Sequence, residues 1–420
     1  MLPKGLPDLL LFTFKWLGLA TLVGILAGSA SALFLISLAE ATSIRQENSW
    51  LFYFLPVAGL LVGLIYYYLG KDVEKGNNQI IDEVIEPQQK ISWRMAPLVL
   101  IGTLLTHVAG GSAGREGTAV QMGGSLADQL NHFFQFSLSD RRTLLVCGVS
   151  AGFASVFGTP LAGTVFALEV YIIGKMRYES LIPALFAAIT GDFICKLWGA
   201  HHTHYHISSS TELTVIPFLL AIAAGLIFAL GGWLFTNAIP FFKQFFNKVS
   251  FPPLRPFVGG IILVVLFLVI DKGRFAGLGV ETIVESFSRR QPLYFFLLKI
   301  LLTSLTLASG FKGGEVTPLF FVGATLGSAI ALFIPLPADL LAAMGFVAVF
   351  AAAANTPLAC ILMGIELFGS EHSIFIAIAC IIAYLFSGHT GIYSSQQVGS
   401  PKHAIWGLHK RKRLKDLNSN

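Results

Sequence analysis

The chain has 420 residues, a mean hydropathy of +0.73 and only 12% charged residues, about half the charged share of a typical soluble domain. So few charges cannot cover a water-soluble globule of this length, and the apolar residues come in blocks of roughly the 17–25 residues that span a bilayer. Composition therefore excludes a soluble enzyme or binding module and predicts an all-α integral membrane protein; the net charge of +5 is concentrated at the C-terminus.

In chain order, the apolar blocks are residues 9–38, 51–69, 143–173, 216–239, 257–270, 294–308 and 375–386. The first is long enough to span and lacks the pattern of a cleaved leader. Lys4 and Lys15 weakly favour a cytoplasmic N-terminus. The basic run 409–415 (HKRKRLK) places the C-terminus in the cytoplasm by the positive-inside tendency, as a topology anchor and not a nucleic-acid arm. Cys147, Cys195, Cys360 and Cys380 sit in or beside apolar segments at spacings that match no metal motif and read as packing residues.

Two stretches repeat about 200 residues apart. Residues 111–118 (GSAGREGT) and 148–169 (GVSAGFASVFGTPLAGTVFALE) correspond to 310–317 (GFKGGEVT) and 345–366 (GFVAVFAAAANTPLACILMGIE). Glu116 aligns with Glu315, Thr118 with Thr317, Gly148 with Gly345, Phe153 with Phe350 and Glu169 with Glu366. The chain is expected to divide into a first membrane repeat (1–200), a polar connection (201–214), a second repeat (215–398) and a basic tail (399–420). Helix breaks are predicted at 110–117, 159–160, 310–318 and 356–357. Interrupted helices at matching places in two repeats mark transporters whose site lies at the repeat interface, because broken backbone survives in a bilayer only beside protein or a water-filled cavity.

The run Gly110-Gly111-Ser112-Ala113-Gly114-Arg115-Glu116-Gly117-Thr118 opens an apolar segment. Glycines let backbone N–H groups approach an anion, and a helix N-terminus favours negative charge. Glu116 would stand at that N-terminus as a built-in competitor for a transported anion, released on protonation. An ionisable residue in a broken membrane segment is costly and functional by default. Glu169 and Glu366, each at the same distance beyond a Thr-Pro-Leu-Ala break, are read as structural.

The GREGT motif with Ala119-Val120-Gln121, the segment Phe157-Gly158-Thr159-Pro160-Leu161-Ala162-Gly163, the loop at Gly313-Gly314 and the late Ile392-Tyr393-Ser394 together resemble the CLC family of chloride channels and proton-coupled antiporters. The likeness covers roughly residues 70–400 in the family's order. It implies two inverted repeats of broken helices and a homodimer with one pore per protomer. The departures resemble the family's fluoride/proton antiporter branch. The usual Gly-Ser-Gly-Ile-Pro motif is Gly76-Asn77-Asn78-Gln79-Ile80, which puts Asn77 at the pore serine. Gly-Gly-Ile-Phe-Ala-Pro is Gly313-Gly314-Glu315-Val316-Thr317-Pro318, which puts a carboxylate beside the pore. The inner proton-relay glutamate falls at Val170, which carries no proton.

Fluoride is small and strongly hydrated, so a pore must supply several short, charge-assisted hydrogen bonds. Asn77 or Asn78, Thr317, Tyr393 and a protonated Glu315 are the candidate donors, with Gly114, Arg115, Gly117, Gly313 and Gly314 as the anion-loop backbone. Of the two asparagines Asn78 can instead close a turn, and Thr317 can instead cap a helix. Two carboxylates as close as Glu116 and Glu315 cannot both ionise cheaply, so one is expected to hold a proton. The expected partners are fluoride, chloride as the alternative, protons, membrane lipid and a second copy of the chain, in the inner (plasma) membrane, with no cofactor or metal. The competing readings are a chloride/proton antiporter or passive anion channel, and, from another class, a membrane metalloenzyme built on His201, His202, His204 and His206. The last lacks the neighbouring carboxylate and general base of hydrolytic zinc sites.

Overall fold

A computed structural model of the chain describes residues 6–417. The first half runs through α1 (Leu6–Glu47), α2 (Leu55–Leu69), α3 (Asn77–Ile85), α4 (Met95–Val108), α5 (Glu116–Phe134), α6 (Leu138–Phe157), α7 (Pro160–Glu169) and α8 (Leu181–Leu197). After the connection come α9 (Val215–Phe246), α10 (Leu254–Val269), the short α11 (Lys272–Phe275) and α12 (Val280–Glu285), then α13 (Tyr294–Ser309), α14 (Val316–Ile330), α15 (Ala338–Ala354), α16 (Pro357–Phe368), α17 (Ser373–Phe386) and the tail helix α18 (Leu414–Leu417).

All four predicted breaks are present, and each has a local cause. The helices before them end on a residue with positive φ: Gly110 (+91°), Gly158 (+73°), Gly310 (+110°) and Asn355 (+59°). Proline then opens α7 and α16, where its missing N–H costs no hydrogen bond. The single apolar block 143–173 is thus two helices meeting at Gly158-Thr159. Asn355 sustains its left-handed backbone with a side chain that donates to the Thr390 carbonyl (2.9 Å) and to Gln396 Oε1 (3.0 Å).

The chain is mostly helical, with two short strands besides the helices. Two-residue strands β1 (Ile172–Ile173) and β2 (Gln397–Val398) pair in parallel, Ile172 opposite Gln397 and Ile173 opposite Val398. Isolated antiparallel bridges join Gly114 to Gly314 and Gln397 to Arg413. These are places where irregular backbone lies inside the protein and must find partners there.

Packing rests on small residues and rings. Gly148 of α6 lies against the backbone of Gly123 in α5, and Gly345 of α15 against that of Gly323 in α14, with no room for a Cβ at either crossing; such close approach is how helices associate without a solvent-driven force between them. Phe153 and Phe350, aligned in the repeat, face each other with ring centroids 6.3 Å apart and planes 14° off parallel. Phe166 stacks on Phe153 at 4.2 Å, and Phe320 on Phe346 at 3.9 Å. Large apolar side chains such as Leu11, Phe193, Val265 and Phe386 point outward, as a lipid-facing surface requires.

One buried ionic cluster pins α3, α5 and α6 together. Arg141 donates through Nε to Asp128 (2.6 Å), through Nη1 to Glu83 (2.9 Å) and through Nη2 to the Gln89 carbonyl (2.7 Å). Glu83 also accepts the N–H groups of Gln88 and Gln89, and Asp128 that of Ile91. The basic tail does not hang free: Leu414 is buried, and residues 396–415 fold back onto the body through backbone hydrogen bonds.

Candidate functional site

The N-termini of α5 and α14 meet at the Gly114–Gly314 bridge, with Gly114 N–H donating to the Gly314 carbonyl (2.6 Å) and Gly314 N–H to that of Gly114 (2.8 Å). The two glycine loops are therefore one structure, built from residues 200 apart. A Cβ on Gly114 would stand 2.9 Å from Glu116 Oε2, and one on Gly314 would stand 2.8 Å from the Gly117 nitrogen. Gly313 packs on Ala113, with 2.5 Å between that side chain and a built Cβ.

Glu116 begins α5 and is 1% exposed. Its carboxylate crosses to the other helix terminus. Oε2 accepts the Thr317 N–H (3.0 Å) and the Arg115 N–H (3.1 Å), while Oε1 accepts the Thr317 hydroxyl. The Arg115 Nε lies 3.7 Å away. Two helix N-termini, one hydroxyl and one guanidinium thus converge on one negative group, which is what a bound anion would require. Glu116 stands at the N-terminus of α5, where the Arg115 N–H bonds it, and its carboxylate also reaches the donors at the N-terminus of α14. Thr317, read as a pore donor or a cap, spends both donors on Glu116 in this conformation.

Glu315 occupies the N-cap position of α14, half-buried and within electrostatic reach of Glu116. Tyr393 is 5% exposed, its ring edge-on to Phe166, and its phenol lies within electrostatic reach of both carboxylates. The two asparagines separate. Asn78 Oδ1 accepts the Ser395 N–H (2.9 Å) and so fastens the loop after Tyr393. Asn77 faces the start of α5, its Nδ2 2.9 Å from where a Cβ on Gly117 would lie, and its buried Oδ1 has no partner. Glu116, Glu315, Thr317, Tyr393 and Asn77 are thus brought to one place.

Glu169 and Glu366, read from the sequence as structural, support this site, and Gln396, His107 and Lys299 are supports that the sequence did not single out. Glu169 accepts the N–H groups of Leu358 (3.3 Å) and Ala359 (3.0 Å) at the start of α16, and Glu366 accepts those of Leu161 (2.9 Å) and Ala162 (2.8 Å) at the start of α7. Each repeat's glutamate caps the other repeat's broken helix, which gives the structural reading of both a concrete form. Gln396, fully buried, donates to the Val170 carbonyl (2.7 Å) and the Ala354 carbonyl (2.8 Å). His107 bridges the Thr103 (2.8 Å) and Ala113 (3.1 Å) carbonyls beneath the first glycine loop. Lys299, also fully buried, holds the carbonyls of Phe275 (3.1 Å) and Gly277 (2.8 Å), and Gly277 in turn donates to Gly111. A single lysine inside the apolar run 294–302 was the available signal for that support. Among the histidines of the connection, His202 Nε2 is taken by the Ser155 carbonyl at 2.8 Å.

A family model for the voltage gated chloride channel matches residues 58–388. A "Chloride/fluoride channel protein" of Pseudomonas syringae pv. tomato is 52% identical over 403 residues, spanning 94% of this chain and 89% of its own length. A crystal structure of a CLC-type fluoride/proton antiporter is similar with a TM-score of 0.89 and 37% identity, covering 92% of this chain and 98% of that one. The structure of a slow cyanobacterial Cl−/H+ antiporter, at a TM-score of 0.77 and 23% identity over 89% of this chain and 94% of that one, shares the fold. With the matched region taking in the glycine loops and all four helix breaks, the chain is a multi-pass membrane protein that belongs to the CLC transport family and is not an enzyme.

Proposed function

We propose that the protein is a fluoride/proton antiporter that lowers cytoplasmic fluoride. The observation that carries this reading is the Glu116 carboxylate held by the Thr317 N–H and hydroxyl and the Arg115 N–H, in a position an anion would take. An anion and the ionised Glu116 then compete for one set of donors, and protonation of Glu116 weakens its hold and admits the anion. Proton movement and anion movement are thereby tied to the same group. The 52% identical chloride/fluoride channel protein and the 37% identical fluoride/proton antiporter support fluoride as the anion. Hydrogen fluoride crosses membranes neutral and dissociates inside, so proton entry drives the anion back out.

In this reading the two halves are inverted repeats, supported by the reciprocal capping of Glu169 and Glu366. The working unit is a homodimer with one pore per protomer, in the plasma membrane with both termini cytoplasmic. Reconstituted protein loaded with fluoride or chloride, with external anion and pH recorded together, tests the proposal. Fluoride efflux coupled to proton uptake supports it; equal chloride and fluoride rates, or anion flux without proton movement, overturn it in favour of a chloride antiporter or a passive channel.

Asn77 tunes anion choice. Asn77→Ser shortens the donor and is expected to move the fluoride/chloride permeation ratio toward chloride by about 1 kcal/mol, roughly fivefold. An unchanged ratio removes Asn77 from the pathway. Glu315 acts as the second proton holder in the absence of a carboxylate at Val170. Glu315→Gln keeps a hydrogen-bond donor but cannot release a proton, so turnover falls about tenfold or more while anion binding persists. Glu315→Ala loses both. Paired efflux and binding measurements check this, and wild-type turnover in Glu315→Gln would leave Glu315 a loop residue.

A further inference from the structure

The C-terminal segment is held down in a way its basic composition does not announce. Val398 N–H donates to the Lys412 carbonyl (2.9 Å) and Arg411 N–H to that of Val398 (2.7 Å). Leu414 N–H reaches the Gln396 carbonyl (3.0 Å) and Lys415 N–H that of Ser394 (2.9 Å), next to Tyr393. Arg413 bridges to α3, its Nη1 2.7 Å from Asp82 and its Nη2 3.2 Å from Glu86. The segment therefore ties the loop that carries Tyr393 to the helix that begins with Asn77.

Its upstream end is fastened by two imidazoles. His389 lies beyond the end of α17 and is 6% exposed. Its Nδ1 is 2.7 Å from His409 Nδ1, and its Nε2 accepts the Lys402 N–H at 3.2 Å. That backbone donor settles the proton positions. His389 Nε2 must be unprotonated, so the neutral ring carries its hydrogen on Nδ1 and donates it to an unprotonated His409 Nδ1. A proton added to His389 at Nε2 faces the Lys402 N–H and breaks that bond.

We propose that residues 400–416 form a proton-released strap over the tail-side mouth of the pathway, latched by neutral His389 through His409 and the Lys402 N–H, with Arg413 as a positioning residue that sets α3 against the Tyr393 loop. The groups facing His389 favour this chemistry: Lys402, whose Nζ sits 2.9 Å from Ser387 Oγ and 4.3 Å above the Tyr384 ring, His409, and the Trp406 ring at 5.3 Å. Burial first, and then the Lys402 charge, push His389 down to about 4. Because that lies below the ordinary value of about 6.5, the latch is at full strength above that pH and weakens as pH falls toward the bound value. Acid produced on that side by dissociating hydrogen fluoride would loosen the strap. That effect on export rests on the proposed function; the strap's own response to pH does not.

Hydrogen exchange on the full-length protein in lipid nanodiscs, corrected for intrinsic rates between pH 7.5 and 5, tests the strap directly. Protection of residues 400–416 is expected to fall about tenfold per pH unit below about 6.5 in the wild type. His389→Gln supplies a non-titrating donor to His409 and acceptor to Lys402, so its protection should stay flat. A wild-type strap whose protection ignores pH, or an unchanged loss in His389→Gln, overturns the proposal. In fluoride efflux, the wild-type rate should change as the tail-side pH drops below 6.5, and the His389→Gln rate should not. Arg413→Ala should raise KM for fluoride more than it lowers kcat, with Arg413→Lys restoring part of the loss. A His389→Gln efflux profile identical to wild type, with the exchange result intact, separates the strap from the pathway and overturns the positioning role alone.

Discussion

Glu116→Gln is expected to transport fluoride without moving protons. Glutamine keeps nearly the volume of glutamate, and its Oε1 can still accept from Thr317 or Arg115. It carries no charge to compete with an anion and no proton to exchange. In the wild type the carboxylate alternates between holding the helix-terminus donors and yielding them; in the variant that alternation loses its dependence on a proton. Fluoride-driven proton flux should fall by about 100-fold or more, the lower range for losing a positioned acid–base group. Anion flux should continue down its gradient. The measurement is simultaneous fluoride and pH recording from proteoliposomes. Uphill proton movement in Glu116→Gln would place the coupling group elsewhere and leave Glu116 a first-turn residue stabilised by two helix dipoles.

Arg141→Met should be the most damaging change outside the pathway. Arg141 is 4% exposed and is the cation that pairs with both Glu83 and Asp128. Removing it leaves two buried carboxylates uncompensated, a loss of about 3–5 kcal/mol, set against a total stability of roughly 5–15 kcal/mol for folded proteins generally. A large fall in melting temperature in detergent, or failure to accumulate in the membrane, is the expected result. Adding Glu83→Gln and Asp128→Asn should recover part of it. Both amides remove charge yet keep an oxygen for the Gln88, Gln89 and Ile91 N–H groups that those carboxylates now satisfy. If Arg141→Met melts with the wild type, the cluster is not what holds α3 to α5 and α6.

That cluster shows where reading along the chain stops. Arg141 lies in a run that looks like an exposed helix start, and Glu83 in a polar stretch after the asparagines. Only their meeting with Asp128 makes them a buried unit. The same holds for Glu169 and Glu366. Their equal spacing from the two Thr-Pro-Leu-Ala breaks was legible, but the exchange of caps between repeats was not, because a cap is a relation between elements and not a property of either.

The sequence by itself determined that the chain spans a membrane, where its helices break, and which residues carry ionisable or hydrogen-bonding chemistry at those breaks. These are local matters: charge density decides solubility, and glycine, asparagine and proline decide where φ and the N–H supply allow a helix to continue. The tertiary structure alone decided the direction of each functional group. It carried the Glu116 carboxylate from its own helix start across to that of α14, set both Thr317 donors on that carboxylate, turned Asn78 to the Ser395 N–H, and folded the basic tail onto α3. Each of these depends on which donor lies within about 3 Å in space, and residues 200 apart in sequence reach that distance only after the repeats have packed.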